Sequence, residues 1–283
     1  MKVWAISDLH LSYKENRQLL LDLPDFGADW LIVAGDIGEK IEHHHFAWQK
    51  LSNHFGKIIW TPGNHDLWTM PHSNAGKGQH KYATLIKIAR EYGVITPEDP
   101  FCKITMGQQT YCLVPLFTLY DYSFRPADIP ANKAIEWAHE ACVYSNDENY
   151  LLSSPFSSVP NWARARFKIA EERLGALPQD LQLVIITHYP LLSELCRLYR
   201  MPRYSIWCGS KITESWVKRY NISIAVSGHM HMRATDYRLG VRFEEVSLGY
   251  PRDWRKGRPL KSYLRQILPN DISNITGATM WRP

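Results

Sequence analysis

"KIIWTPGNHD", Lys57 to Asp66, runs from an apolar tetrapeptide through a Thr-Pro step into Gly-Asn-His-Asp. The first four residues suit a buried strand. The last four suit neither a strand nor a helix opening, yet they set an amide, an imidazole and a carboxylate side by side. Other apolar runs end in the same way. "KVWAIS" (2–7) is followed by Asp8 and His10, and "WLIVAG" (30–35) by Asp36. "LQLVIIT" (181–187) is followed by His188, and "ISIAVSG" (222–228) by His229 and His231. Residues two apart in extended chain point to one side, so each i, i+2 pair can address one point. Asp and Asn are ordinary turn residues after a strand. Five strand ends that all turn to carboxylate, amide or imidazole are not expected of independent turns. In an open α/β sheet, ligands bind outside the carboxyl ends of the strands.

The rest of the chain supports such a sheet. "TYCLVPLF" (110–117) is a further apolar run. Several runs are apolar at every position, as in strands covered on both faces. Helical spacing is found in 16–23, 44–55, 81–93 and 162–175, the last two closing on Gly93 and Gly175. "RATDYRLGVRFEEVSL" (233–248) predicts antiparallel strands around Leu239-Gly240. The expectation is a layered α/β domain spanning 1–283. Residues 121–160, rich in aromatics, Pro, Ser and Asn, read as a substrate-side insertion with one helix near 131–142.

Composition sets bounds. With 45% apolar and 22% charged residues in 283, the chain is globular rather than disordered. No apolar run approaches the roughly 18 residues of a membrane helix. Asp8 and His10 interrupt the N-terminus too early for a signal peptide. Five dispersed cysteines without a Cys-x-x-Cys pair predict reduced thiols and a cytoplasmic protein. The net charge of +5 permits anionic substrates without requiring nucleic acid.

Asp8, His10, Asp36, Asn64, His188, His229 and His231 offer two carboxylates, one amide and four imidazoles. One cation cannot use them all. They suit two divalent cations sharing a carboxylate, roughly 3.5–4 Å apart. The mixed nitrogen and oxygen set favours Mn²⁺, with Fe or Zn²⁺ as alternatives, over Ca²⁺ or Mg²⁺. Two such ions less two carboxylates leave a positive pocket that favours phosphate.

Taken together, Asp-x-His (Asp8, His10), Gly-Asp (Gly35, Asp36), Gly-Asn-His-Asp (Gly63 to Asp66), His188 and Gly-His-x-His (Gly228 to His231) resemble the calcineurin-like metallophosphoesterase family. Asp36 lies 28 residues beyond Asp8, and Asn64 another 28 beyond that. The resemblance implies a four-layer α-β-β-α sandwich with a dinuclear site at one edge. It gives Asp8, His10, Asp36 and His231 to one metal and Asp36, Asn64, His188 and His229 to the other. His65 is then the catalytic residue beside the metals, with Asp66 placed to support its imidazole. The implied reaction is in-line attack of a metal-bridging hydroxide on a phosphate mono- or diester, with a small phosphorylated molecule or nucleotide as the expected substrate.

Three alternatives remain. A nuclease would use "PRDWRKGRPLKSYLR" (251–265), which interleaves Trp254 and Tyr263 with basic residues; a solvated surface segment is the competing account. A serine/threonine protein phosphatase would carry Gly-Asp-x-Val-Asp-Arg-Gly, whereas this chain reads "GDIGEKI". A silent scaffold would have lost ligands, and none is missing here. Arg203 and Tyr204, between His188 and His229, are candidate substrate contacts, as are His72 and Lys77 after the GNHD loop. "HHH" (43–45) cannot share one helix face and is expected to be mostly exposed.

Overall fold

The computed structural model describes residues 1–71 and 75–270 and the short strand at 279–280. His72 lies outside the described residues. Two sheets form the centre. In the first, β1 (Val3–Ile6), β2 (Trp30–Val33) and β3 (Lys57–Trp60) run parallel. They are joined by α1 (Lys14–Leu21) and α2 (Ile41–Leu51), and α3 (Asn64–Leu67) and α4 (Gly78–Glu91) follow β3. In the second, β4 (Cys102–Met106) and β5 (Gln109–Pro115) form a hairpin that continues into β6 (Gln182–Ile186), β7 (Ile222–Ser227) and β9 (Val241–Glu245). β8 (Ala234–Arg238) pairs antiparallel with β9 across Leu239 and Gly240, both at positive φ as a two-residue hairpin turn requires. β10 (Arg265–Leu268) returns to pair with β1, and β11 (Thr279–Met280) pairs with β8.

The strands lack polar alternation because both of their faces are covered. Val3, Ala5, Ile32, Ile59, Leu113, Val184, Ile186, Ile224 and Val226 pack between the sheets. Their neighbours Ile6, Leu31, Val33, Ile58, Trp60, Val114 and Ile185 pack under the helices. Helices, two sheets and helices make the four-layer sandwich expected from the sequence. Each fully buried branched side chain contributes about 1.5–3 kcal/mol, so this inter-sheet layer is the main tie between the halves.

The sheets meet where their carboxyl ends meet. Ser7 bridges to Ser247, Leu248 N–H donates to Ser7 O at 2.9 Å, and Gly249 N–H donates to Asp8 O at 3.0 Å. This seam brings the ends of β1 and β2 beside those of β6 and β7.

Helix starts lie two or three residues earlier than periodicity alone suggests. α7 (Val159–Gly175) opens on Ser158, whose hydroxyl accepts from Asn161 N–H. Within the insertion, a 3₁₀ turn at Ala131–Lys133 leads into α5 (Ala134–His139), and α6 (Asp147–Tyr150) follows. α8 (Lys211–Arg219) precedes β7.

The basic stretch 251–265 differs from its sequence reading. Tyr263 is buried and accepts Arg255 N–H at 3.0 Å, while half-buried Trp254 donates to Asn16 at 3.0 Å. These bonds anchor the segment to the core. Lys77 is exposed just ahead of α4.

Candidate active site

The seven residues singled out at the strand ends come together. Five of them, Asp8, His10, Asp36, His229 and His231, have positive φ. Such left-handed backbone is uncommon outside glycine, though Asp and His tolerate it better than most. Its concentration here marks a site where strain is held by the surrounding sheets. The turns are also tight. A Cβ on Gly63 would lie 2.1 Å from Asp36 Oδ1, and one on Gly228 would lie 2.3 Å from Asp8 Oδ2. Glycine is needed at both points for close approach.

One group of donor atoms surrounds Asp8. His231 Nε2 lies 3.1 Å from Asp8 Oδ1 and 3.2 Å from His10 Nε2, which is 3.8 Å from the same carboxylate oxygen. A second group surrounds His188, whose Nε2 is 3.1 Å from Asn64 Oδ1 and 3.4 Å from Asp36 Oδ2. Asp36 Oδ2 is also 4.0 Å from His10 Nε2, so this oxygen stands between the groups. The His229 ring lies 5.2 Å from that of His188, and its Nε2 is buried without a hydrogen-bond partner among the described residues.

These atoms fit cations better than one another. Two imidazole Nε2 atoms face each other across 3.2 Å, an arrangement that a shared cation satisfies. Ligands about 2.0–2.2 Å from one metal lie roughly 3–3.5 Å apart, close to the spacing found here. Asp8–His10–His231 and Asp8–Asp36–His188 are both compact enough to hold an ion.

The supporting bonds orient these donors. His188 Nδ1 donates to Ala34 O at 2.9 Å, which leaves Nε2 for the site. His231 Nδ1 pairs with Asp253 Oδ2 at 3.0 Å. Asp8 Oδ2 accepts from the Ser7 and Ser247 hydroxyls and from His229 N–H. Asn64 Nδ2 donates to Asp147 Oδ1 at 2.9 Å. Asp147 lies in the insertion, which therefore reaches into the site rather than only covering it.

The titration behaviour divides the histidines. Burial opposes charge on His188, but Asp36 and Asp8 outweigh it and raise its pKa to about 10. Burial likewise opposes charge on His231, and Asp8 and Asp253 raise it to about 10. His10 and His229 are pushed well below 6.5, first by burial and then by neighbouring imidazoles. Burial works against ionised Asp8, yet His231 holds it well below the ordinary carboxylate value.

His65 faces the same centre, its ring 4.6 Å from that of His10. Its partner differs from the sequence expectation. His65 Nδ1 pairs with Glu39 Oε1 at 2.9 Å, and Trp68 stacks on the ring at 3.7 Å. Burial opposes its charge, but Asp36 and the Glu39 bond raise its pKa above 6.5. Asp66 points elsewhere. Its carboxylate accepts from the N–H groups of Asp36, Ile37, Gly38 and Gly63 and meets His44 Nε2 at 3.3 Å. At the third position of a short helix, the Asp66 side chain folds back over the turn instead of toward its neighbour. Asp66 is thus a clamp on the loops carrying Asp36 and Asn64. His44 is correspondingly buried, against the expectation of an exposed triplet.

The two candidate substrate contacts divide. Arg203 donates to Trp137 O and to Glu140 Oε2, so its guanidinium ties the 199–210 loop to the insertion. Tyr204 lies nearer the centre, its ring stacked 6.5 Å from that of His229. Tyr250 also belongs to the wall, stacked on His10 at 4.4 Å. The sequence reading missed Glu39, Trp68, Asp147, Tyr250 and Asp253. Only Glu39, three residues past Asp36 in "GDIGEKI", carried a visible signal.

Among curated proteins, the chain is 40% identical over 273 residues to the [acyl-carrier-protein] phosphodiesterase PptH of Mycobacterium tuberculosis, covering 95% of this chain and 83% of that protein. Its fold superposes on the crystal structure of phosphopantetheinyl hydrolase (PptH) from the same organism with a TM-score of 0.91 at 38% identity, covering 97% and 98% of the two chains. The family model described as calcineurin-like phosphoesterase matches residues 1–233, most of the chain and every residue of the two donor groups. The chain belongs to the calcineurin-like phosphoesterase family and is a metal-binding phosphoric ester hydrolase.

Proposed function

We propose that this enzyme hydrolyses the phosphodiester joining a phosphopantetheinyl group to an acyl carrier protein. The observation that carries the reading is likeness along the whole molecule: 97% of this chain and 98% of the phosphopantetheinyl hydrolase superpose, insertion included. In this reading the substrate is a protein-bound diester rather than a free small molecule. Free thiols at all five cysteines accord with a cytoplasmic setting.

Asp8, His10, His231 and Asp36 hold one cation, and Asp36, Asn64, His188 and His229 the other. Mn²⁺ is the proposed ion for this mixed donor set. When bound, the two cations polarise the phosphoryl oxygens and supply a nucleophile from water at neutral pH. The remaining chemistry belongs to side chains. Glu39 accepts a hydrogen bond from His65 Nδ1–H and, with Asp36, favours the charged ring, so that a protonated Nε2 faces the centre. His65 Nε2 delivers a proton to the departing alkoxide, a poor leaving group without one. Trp68 holds the ring plane, so the proton is offered in one direction.

The test is incubation of the manganese-loaded enzyme with phosphopantetheinylated acyl carrier protein, followed by mass spectrometry of the carrier. Loss of the phosphopantetheinyl mass, abolished by a chelator, is expected. An unchanged carrier beside active hydrolysis of aryl phosphodiesters would refute the substrate and leave the enzyme class intact.

A further inference from the structure

The buried face of α4 carries Lys81 beside Tyr82, Leu85, Ile86, Ile88 and Ala89. Lys81 is 0% exposed, a burial that lysine almost never reaches without a partner. Its place in the first turn is also unfavourable, because the positive end of the helix dipole opposes a cation there. Burial lowers its pKa to about 8, against the attraction of Asp66 and Glu39, so the side chain remains mostly an ammonium at neutral pH. Packing alone would be served better by leucine or methionine at this position.

The ammonium is directed at two main-chain carbonyls. Lys81 Nζ donates to Glu39 O at 2.7 Å and to Trp68 O. Glu39 lies in the loop between β2 and α2, and Trp68 closes the C-terminal end of α3. One nitrogen therefore joins three segments that are distant in sequence. An ammonium suits this task, since its three donors can meet acceptors from separate directions, and bonds from a charged donor are stronger than neutral ones.

Glu39 and Trp68 are also the two residues whose side chains hold His65. Glu39 Oε1 meets His65 Nδ1 at 2.9 Å, and the Trp68 ring stacks on the imidazole at 3.7 Å. Lys81 binds their backbones and leaves both side chains to the histidine. The edge partner and the face partner of His65 are thus tied to one helix through a single buried group.

We infer that Lys81 is a positioning residue for His65: its ammonium ties the Glu39 loop and the end of α3 to α4, and so fixes the direction in which the His65 proton is offered. The inference rests on the leaving-group role proposed for His65. Lys81 acts through Glu39 and Trp68 and takes no part in proton transfer itself.

The test compares Lys81→Met, alone and combined with His65→Ala, in the manganese-loaded enzyme. The substrates are bis(p-nitrophenyl) phosphate and diphenyl phosphate, whose more basic phenolate depends more on a proton. Manganese content and melting temperature are measured beside the rates. Methionine fills the lysine's space and offers no donor. Lys81→Met should keep its manganese and lose about 10–100-fold in kcat on diphenyl phosphate, the scale set by misplacing a reacting group by up to about 1 Å. The loss on bis(p-nitrophenyl) phosphate should be smaller, and KM should stay within about twofold on both. In the His65→Ala background the same substitution should change kcat by less than about twofold, because the group it positions is gone. Lys81→Gln keeps N–H donors for the carbonyls and should recover part of the rate. It carries the same comparison if the methionine variant does not fold.

Full additivity of the Lys81 and His65 substitutions, or loss of manganese from the Lys81 variants, overturns the positioning role. Additivity beside the expected leaving-group pattern in His65→Ala would sink the role of Lys81 alone. Equal losses on both esters in His65→Ala, with the Lys81 substitutions silent in that background, would sink the leaving-group role and keep Lys81 as the group that places His65.

Discussion

The two halves of the centre are held in different ways. Around Asp8, support comes from the seam between the sheets and from the segment that follows β9: the Ser7 and Ser247 hydroxyls bind Asp8, and Asp253 binds His231. Around His188, one support is the backbone carbonyl of Ala34, which no side-chain substitution removes. The other is Asp147, which arrives from an insertion outside both sheets. Asp36 Oδ2 lies within 4.0 Å of a histidine from each half. The first half is therefore fixed by the same contacts that join the sheets. The second combines a fixed histidine with an amide whose orientation depends on the insertion, so the halves can be weakened separately.

The largest expected effect comes from the shared residue. Asp36→Asn should lower the metal content of both halves, whereas Asp8→Asn should spare the half around His188. Elemental analysis after equilibration with Mn²⁺ decides this; unchanged occupancy in Asp36→Asn would contradict its place between the groups.

His65→Ala should keep both metals and lose roughly 10²–10⁴-fold in rate, the usual worth of general acid–base catalysis. A p-nitrophenolate departs without a proton, so its ester should suffer less than an alkyl ester. Glu39→Gln should show the same leaving-group pattern to a smaller degree. Equal losses on both ester types at full metal occupancy would remove His65 from the leaving-group role.

The comparison sharpens with the supporting carboxylates. Asp253→Ala and Asp147→Ala should each weaken one cation by about 10–100-fold, as other carboxylates behind metal ligands do. Calorimetric titration should show two classes of site in each variant. Loss of both sites together in Asp147→Ala would mean that the insertion supports the fold and not one half.

A smaller effect lies in the stability of the metal-free protein. His188 and His231 have folded pKa values of about 10 against the ordinary 6.5. Their stabilising effect is complete below 6.5 and is lost as pH rises through about 10. His10 and His229 are shifted down, so they favour unfolding as pH falls below 6.5. The melting temperature of the metal-free protein should peak near 6.5 and decline toward 10. Mn²⁺ should flatten that decline, because bound cations replace the protons. A metal-free melting temperature that rises from pH 7 to 9 would contradict the charge assignment.

The donor residues were legible because each closes a strand, and strand periodicity fixes where its end falls. Doubly apolar runs such as 30–35 also announced two covered faces, and hence the layers. The groups that hold the donors were not legible. Asp147 lies 83 residues from Asn64, and Asp253 lies 22 residues from His231. Neither obeys a helix or strand period, since both are brought in by tertiary packing. Asp66 and Glu39 show the limit at short range: adjacency suggested Asp66 for His65, but the α3 turn sends its side chain back over the preceding loops. β4 and β10 were missed as well. Their burial is mixed, and β10 is recruited by β1 from far along the chain.

The most direct test of the account is stepwise addition of Mn²⁺ to thoroughly demetallated enzyme, with hydrolysis of an aryl phosphodiester followed at each step. Two donor groups sharing Asp36 predict no activity without metal and a recovery that levels off at two equivalents per chain. Full activity in the demetallated protein, or a plateau at one equivalent, would contradict a dinuclear centre.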